Sequence, residues 1–255
     1  MKLTTGVINL EDKLKAAQIL ERYGYDNTFT SRDLYEFYRE TEVDLNKGTF
    51  RWRVYALKNM GVIRAIKRGV YILEKRRIFE PEISPNLKKT YNLVKRKYPL
   101  VEFSIWETKL LHDFMNHQPF DSFIVLEVER EVIEPVFRFL SQKRNNVYLN
   151  PNKGEIEKYV LSKNVTIIKP LLKDSPLVKG DIVLPKIEKI LVDIFFESEL
   201  FITYQGDELK NIFERIYSEY SINASTLYLY AKNRGIKDKI IDFLNNHTRI
   251  NKKYI

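Results

Sequence analysis

Three stretches of helical periodicity followed by two short β-prone runs fill the first 80 residues, and that order leaves few folds open. Glu11 to Tyr23 keeps Leu14, Ala17 and Ile19-Leu20 at helical spacing, and Gly24 stops it. A second helix starts at Thr30 or Ser31, where Thr30-Ser31-Arg32-Asp33 has the form of a capping box with Asp in place of Glu, and Leu34, Phe37 and Tyr38 make its apolar stripe. After the polar connection Glu42 to Lys47, a third helix is predicted from about Thr49 to Met60, ending at Gly61. Val62 to Ile66 and Val70 to Leu73 then read as a hairpin with the basic tip Lys67-Arg68-Gly69.

Charge is concentrated on the same stretch. Leu45 to Arg77 holds ten of the 43 Lys and Arg (Lys47, Arg51, Arg53, Lys58, Arg64, Lys67, Arg68, Lys75, Arg76, Arg77) and one of the 34 acids, Glu74. The remainder balances at 33 of each, so the formal +9 originates entirely in this window. Such localised charge points to a polyanion held by one short segment.

Helices and basic hairpin in this order resemble a winged helix-turn-helix DNA-binding domain, which implies a third helix in the major groove and a wing tip on phosphate or in the minor groove. At about 100° per residue, Phe50, Val54 and Leu57 cluster within about 60° and form the expected core stripe. Arg51 and Lys58 flank it on one side, Arg53 flanks it on the other, and Trp52, Tyr55 and Asn59 point away. Arg51, Tyr55 and Asn59 are the expected base or sugar contacts, with Lys47, Lys58, Arg64, Lys67 and Arg68 on phosphates. Thr49 and Trp52, the latter suited to packing or to stacking, complete the candidate interface with Arg53. A solvated face would mix signs, and this one does not. Lys75-Arg76-Arg77, before Pro81 and Ser84-Pro85, reads as the interdomain connection. The domains are expected at 1–80 and 84–255.

Composition removes several classes of chemistry. Zero cysteines exclude disulfides, thiolate zinc sites and thiol catalysis, and three scattered histidines (His112, His117, His247) are poor material for a metal site. The glycines are isolated, which excludes a P-loop or a dinucleotide loop, and no Gly-Ser turn with paired aspartates suits nucleotidyl transfer. No apolar run approaches the roughly 18 residues of a membrane span, and Met1-Lys2-Leu3 leads into polar residues, so a cytoplasmic protein is expected. No cofactor or metal is called for.

From Ser84 the pattern changes. A helix from Ser84-Pro85 to Tyr98 is followed by strand-like runs Val101 to Trp106, Phe123 to Val128, Val147 to Leu149 and Val165 to Lys169. Helices Glu107 to Asn116 and Glu134 to Gln142 alternate with them, giving a mixed α/β layer. Beyond Pro185 the chain is expected to be helical: Lys186 to Glu197, Asp207 to Tyr220, Ala224 to Asn233 and Lys237 to Asn246. The class is therefore α/β of the α+β kind, a winged helix followed by a mixed domain with a helical end. Asp121, Glu127 and Glu129 are the nearest approach to a nuclease-like acidic cluster, with Glu127 and Glu129 sharing a strand face, although no strand-borne lysine accompanies them. Glu188 and Asp193 lie about 140° apart on one helix, and the helix dipole accounts for Glu188.

Two stretches carry a more specific resemblance. Leu184-Pro185-Lys186-Ile187-Glu188-Lys189-Ile190-Leu191-Val192-Asp193-Ile194-Phe195 is similar to the P-x-(I/L)-E-K-x-L-V-D helix of AbiEi-type antitoxins. Tyr220-Ser221-Ile222-Asn223 with Thr226 to Ala231 resembles the end of the same domain. The resemblance implies a repressor of its own promoter that counteracts a nucleotidyltransferase-type toxin in a type IV toxin–antitoxin, abortive-infection system against phage, without a stable complex. It brings no catalytic residue. Double-stranded DNA is the expected partner, bound by a monomer or a dimer; a palindromic operator would take two winged helices. The alternatives are a metal-dependent nuclease using Asp121, Glu127 and Glu129, or an RNA-binding or protein-interaction module.

Overall fold

The computed structural model describes residues 13–25, 27–74, 78–156 and 165–250. They form two compact units in an α+β protein. The first holds the described residues up to Phe79 with Glu219–Ser221, and the second holds Glu80–Ser218 and the described residues from Ile222. Lys75-Arg76-Arg77 and the start of the first expected helix lie outside the described residues.

In the first unit, Lys15 in the left-handed conformation (φ 52°) precedes α1 (Ala16–Tyr23), so the helix is shorter than its periodicity suggests. A short strand β1 (Thr28–Thr30) leads into α2 (Ser31–Arg39). The α2 capping box forms as the sequence indicates: Asp33 N–H donates to the Thr30 side chain, and Thr30 N–H donates to the Asp33 carboxylate. α3 (Lys47–Asn59) begins two residues earlier than expected, because the Asn46 side chain accepts the Thr49 N–H at 2.8 Å. It ends in a Schellman turn, with Gly61 N–H on the Lys58 carbonyl, Val62 N–H on Leu57, and Gly61 at φ +64°. β2 (Ile63–Lys67) and β3 (Val70–Leu73) make the hairpin, with a bulge between Ala65 and Lys67. β3 also pairs antiparallel with β1, giving the order β1-β3-β2.

The core of this unit joins Leu14, Ile19, Phe29, Leu34, Tyr38, Leu57 and Ile63. On α3 the buried residues are Arg53, Ala56 and Leu57, with Phe50 and Val54 only partly buried. The buried arc is therefore wider than the Phe50-Val54-Leu57 stripe and reaches over to Arg53.

In the second unit, α4 (Pro85–Lys97) is capped by Ser84. Then follow β4 (Phe103–Glu107), β5 (Phe123–Val128), α5 (Ile133–Ser141), β6 (Val147–Leu149) and β7 (Val165–Pro170). The sheet order is β4-β5-β7-β6, with β4 antiparallel to β5 and the rest parallel. Every residue of β5 is buried, as two-sided cover requires. Ile124, Leu126 and Val128 pack with α4 and α5 residues such as Leu87, Tyr91, Val136 and Leu140. On the other face Phe123 stacks on Phe201, and Glu127 meets α6 (Ile187–Phe196).

β8 (Leu177–Val178) and β9 (Leu184–Pro185) pair just before α6. The end of the chain supplies α7 (Asp207–Glu219), α8 (Ala224–Asn233) and α9 (Lys237–Asp242), with a π turn at Phe243–His247. The helix expected at Glu107 to Asn116 is instead a 3-10 segment, Thr108–Phe114. Its buried residues Thr108, Leu111 and Phe114 recur every third position, which matches three residues per turn.

Candidate nucleic-acid interface

Nothing acidic occurs in α3, and its first turn carries Lys47, where an acid would have been favoured by the helix dipole. The charge therefore works against the helix locally. By helical geometry its exposed residues occupy an arc of about 140°. Lys47, Lys58 and Arg51 lie along one edge, Tyr55 near the middle, and Asn59 and Trp52 along the other. All six are exposed, while Thr49 is half-buried in the capped first turn.

The hairpin adds Lys67 and Arg68, both exposed, at a tip fixed by Gly69 in the left-handed region (φ +74°). Ser31 N–H donates to the Gly69 carbonyl at 2.8 Å, which ties this tip to the start of α2. Among the described residues, Lys47, Arg51, Lys58, Lys67 and Arg68 have no acidic partner.

Two of the expected contacts are placed elsewhere. Arg53 is buried, with Nη2 2.8 Å from one Glu42 oxygen and 3.0 Å from the other and its guanidinium 4.6 Å over the Tyr38 ring. The same hydrogen bond holds the Glu42 carboxyl below its usual range. Arg64 pairs with the buried Glu74 at 3.1 Å and is itself largely covered. Both arginines are neutralised inside the unit; the chemistry that recruited them is an acid from a neighbouring loop or strand, which a helical projection does not contain.

The nuclease-like acids do not come together. Asp121 precedes β5 and lines a cleft of about 300 Å³ with Glu107, Lys109 and His112. Glu127 sits near the other end of that strand, roughly 20 Å away at about 3.3 Å per residue. Glu129 lies past the strand end, so the two glutamates do not share a strand face. Glu127 is buried, 4% exposed, takes both oxygens to Lys189 Nζ at 2.6 Å and accepts from Ser104 Oγ.

Around that pair the second unit contains a buried ionic network. Lys189 also binds Asp193 one turn on, and Asp193 accepts from Tyr230 Oη and from Arg234, both at 2.9 Å. Arg234 reaches Glu197 as well, and Glu197 pairs with Lys169. Lys169 on β7 stands opposite Glu127 on β5, so a lysine on the adjacent strand does accompany this acid. Three acids and three bases thus compensate one another.

Burial opposes charge on Lys189, but Asp193 and Glu127 outweigh it and raise its pKa above the ordinary value. Burial likewise works against ionised Asp193, yet Lys189, Arg234 and Lys169 carry it below the usual carboxylate range. For Lys169 burial prevails and lowers the pKa to about 8. Glu188 points elsewhere, accepting the N–H of Asn223 at 2.8 Å at the cap of α8, and burial raises its pKa. It is therefore held by a specific cap contact rather than by the helix dipole alone. The sequence signal for this network was two charges, Lys189 and Asp193, within an otherwise largely apolar helix.

No helix among the described residues is long and apolar enough to cross a membrane, and none of their His, Asp and Glu side chains group in threes around a possible metal position. No curated protein matches the chain. Residues 49–250, from the first turn of α3 through α9 and the π turn, match a family of unknown function, DUF6577. With most of its length covered, the chain belongs to that family.

Proposed function

We propose that the first unit is a winged helix-turn-helix that binds double-stranded DNA in a sequence-specific manner, and that the protein is a cytoplasmic transcriptional repressor of the AbiEi antitoxin type. One observation carries the DNA-binding reading: five exposed cations on α3 and the hairpin tip, without an acidic partner among the described residues, on a helix whose own dipole disfavours the first of them. Such a face is costly for the isolated protein and is stabilised by phosphate. Arg51, Tyr55 and Asn59 read bases or sugars in the major groove, and Lys47, Lys58, Lys67 and Arg68 hold the backbone.

The antitoxin assignment rests on the P-x-I-E-K-x-L-V-D helix and the later Tyr220-to-Ala231 stretch. The motif's charged residues are buried in the second unit, where they suit a scaffold better than a reaction centre. The functional counterpart is a nucleotidyltransferase-type toxin.

Gel-shift titrations of the full chain against its own promoter region and against random duplex test the proposal. Preferential binding to the promoter is expected. Arg51→Ala and Asn59→Ala are expected to relax that preference, and Lys67→Ala with Arg68→Ala to weaken all duplexes alike. Equal affinity for promoter and random DNA would contradict sequence-specific recognition.

A further inference from the structure

Trp52 and Tyr55 are 47% and 65% exposed, on the side of α3 that also carries Asn59. Elsewhere in the first unit, Tyr23, Phe29, Tyr35, Phe37, Tyr38 and Phe50 pair ring against ring in or beside the core. Trp52 and Tyr55 make no ring contact among the described residues. The outer face of α3 is thus divided lengthwise into a cationic edge (Lys47, Lys58, Arg51) and an aromatic–amide edge (Trp52, Asn59) bordered by Tyr55 at the middle of the face.

We infer that the aromatic–amide edge selects A·T-rich duplex by packing Trp52 and Tyr55 on thymine methyl groups in the major groove, while Asn59 pairs with adenine. The inference rests on the DNA-binding reading of the first unit. The thymine C5-methyl is the apolar group on the major-groove edges of the bases, and a carboxamide matches adenine N6 and N7. Trp52 and Asn59 are separated by seven residues, about 10 Å along the helix axis, which spans about three base-pair steps. Arg51 projects about 100° from Trp52, on the edge suited to guanine O6 and N7 or to phosphate. The preferred site is therefore a short A·T block read by one edge of the helix, next to a position read by the other.

The test starts from a pool of short random duplexes enriched on the full-length protein. The recovered sequences are resynthesised with deoxyuridine in place of thymidine, which removes the methyl groups alone. Recovered duplexes are expected to share an A·T block, and uracil to weaken binding about four-fold for each methyl contacted. The Trp52→Ala, Tyr55→Ala double variant is expected to bind thymine and uracil duplexes equally. Arg51→Ala should bind both more weakly and keep the preference.

Both rings lie outside the core, so a wild-type urea midpoint is expected for the double variant and identifies it as folded. Equal wild-type affinity for thymine and uracil duplexes, or a preference that survives in the double variant, would overturn the inference and leave the DNA-binding reading intact. Failure to enrich any duplex, or preferential capture of single-stranded RNA, would overturn that reading and the inference together.

Discussion

Arg51 and Arg53 stand two positions apart on α3, and the structure gives them opposite environments. Arg51 is exposed without an acidic partner among the described residues, and Arg53 is sealed between Glu42 and the Tyr38 ring. Arg53→Ala is expected to cost about 1–3 kcal/mol in urea unfolding, through the lost charge-assisted hydrogen bonds and packing. Arg51→Ala should leave the unfolding midpoint where it is; a matching loss in both variants would contradict this division. Glu208 offers a second residue-scale test. Burial works against its charge, but the N–H groups of Asn116 and His117 and the His117 ring lower its pKa to about 2. A folded value below the unfolded one means that the unfolded chain binds more protons there. Its stability contribution is therefore complete above about pH 4.5 and disappears as pH falls toward about 2. Unfolding midpoints measured down to about pH 3 should fall less steeply in Glu208→Gln than in wild type, and parallel curves would refute it. The exposed candidates were legible because helical spacing alone places Arg51, Tyr55 and Asn59 outward. Arg53 and Arg64 were not, because their acids come from outside the helix or from across the hairpin.

Elements with a local chemical signature were legible in the same way. The Thr30 capping box, the Ser84-Pro85 start, the Gly61 stop and the Lys67-Arg68-Gly69 turn each satisfy backbone groups within a few residues. β1, three residues long, becomes a strand only by pairing with β3 forty or more positions away, and nothing local marks it. α6 shows the same limit in its energetics. The sequence predicts a helix from Lys186 to Glu197, but Lys189, buried within it, is tolerable only because Glu127 on β5 and Asp193 meet it. Removing Lys189 leaves the buried Glu127 carboxylate without its ion pair and takes from Asp193 one of its two cations, so Lys189→Met is expected to cost about 3–5 kcal/mol by chemical denaturation. Adding Glu127→Gln should recover part of that loss. A Lys189→Met protein as stable as wild type would show that the network contributes nothing to folding.

At the scale of the whole molecule, charge and burial divide the work. The excess positive charge falls on the window from Leu45 to Arg77, and of its described cations the structure withdraws Arg53 and Arg64 into ion pairs. Lys47, Arg51, Lys58, Lys67 and Arg68 remain on the exposed surface. The second unit turns its conspicuous charges inward instead, around Lys189 and Asp193. The central claim, on the proposed DNA-binding reading, is that four of these cations, Lys47, Lys58, Lys67 and Arg68, form a phosphate-binding face beside Arg51. The most direct measurement is the affinity of the full chain for promoter duplex as a function of salt, for wild type and for the Lys67→Ala, Arg68→Ala double variant. With about four phosphates neutralised, the logarithmic slope is expected at about −3.6, becoming shallower by about two units in the double variant. A salt-insensitive wild type, or an unchanged slope in the double variant, would contradict it.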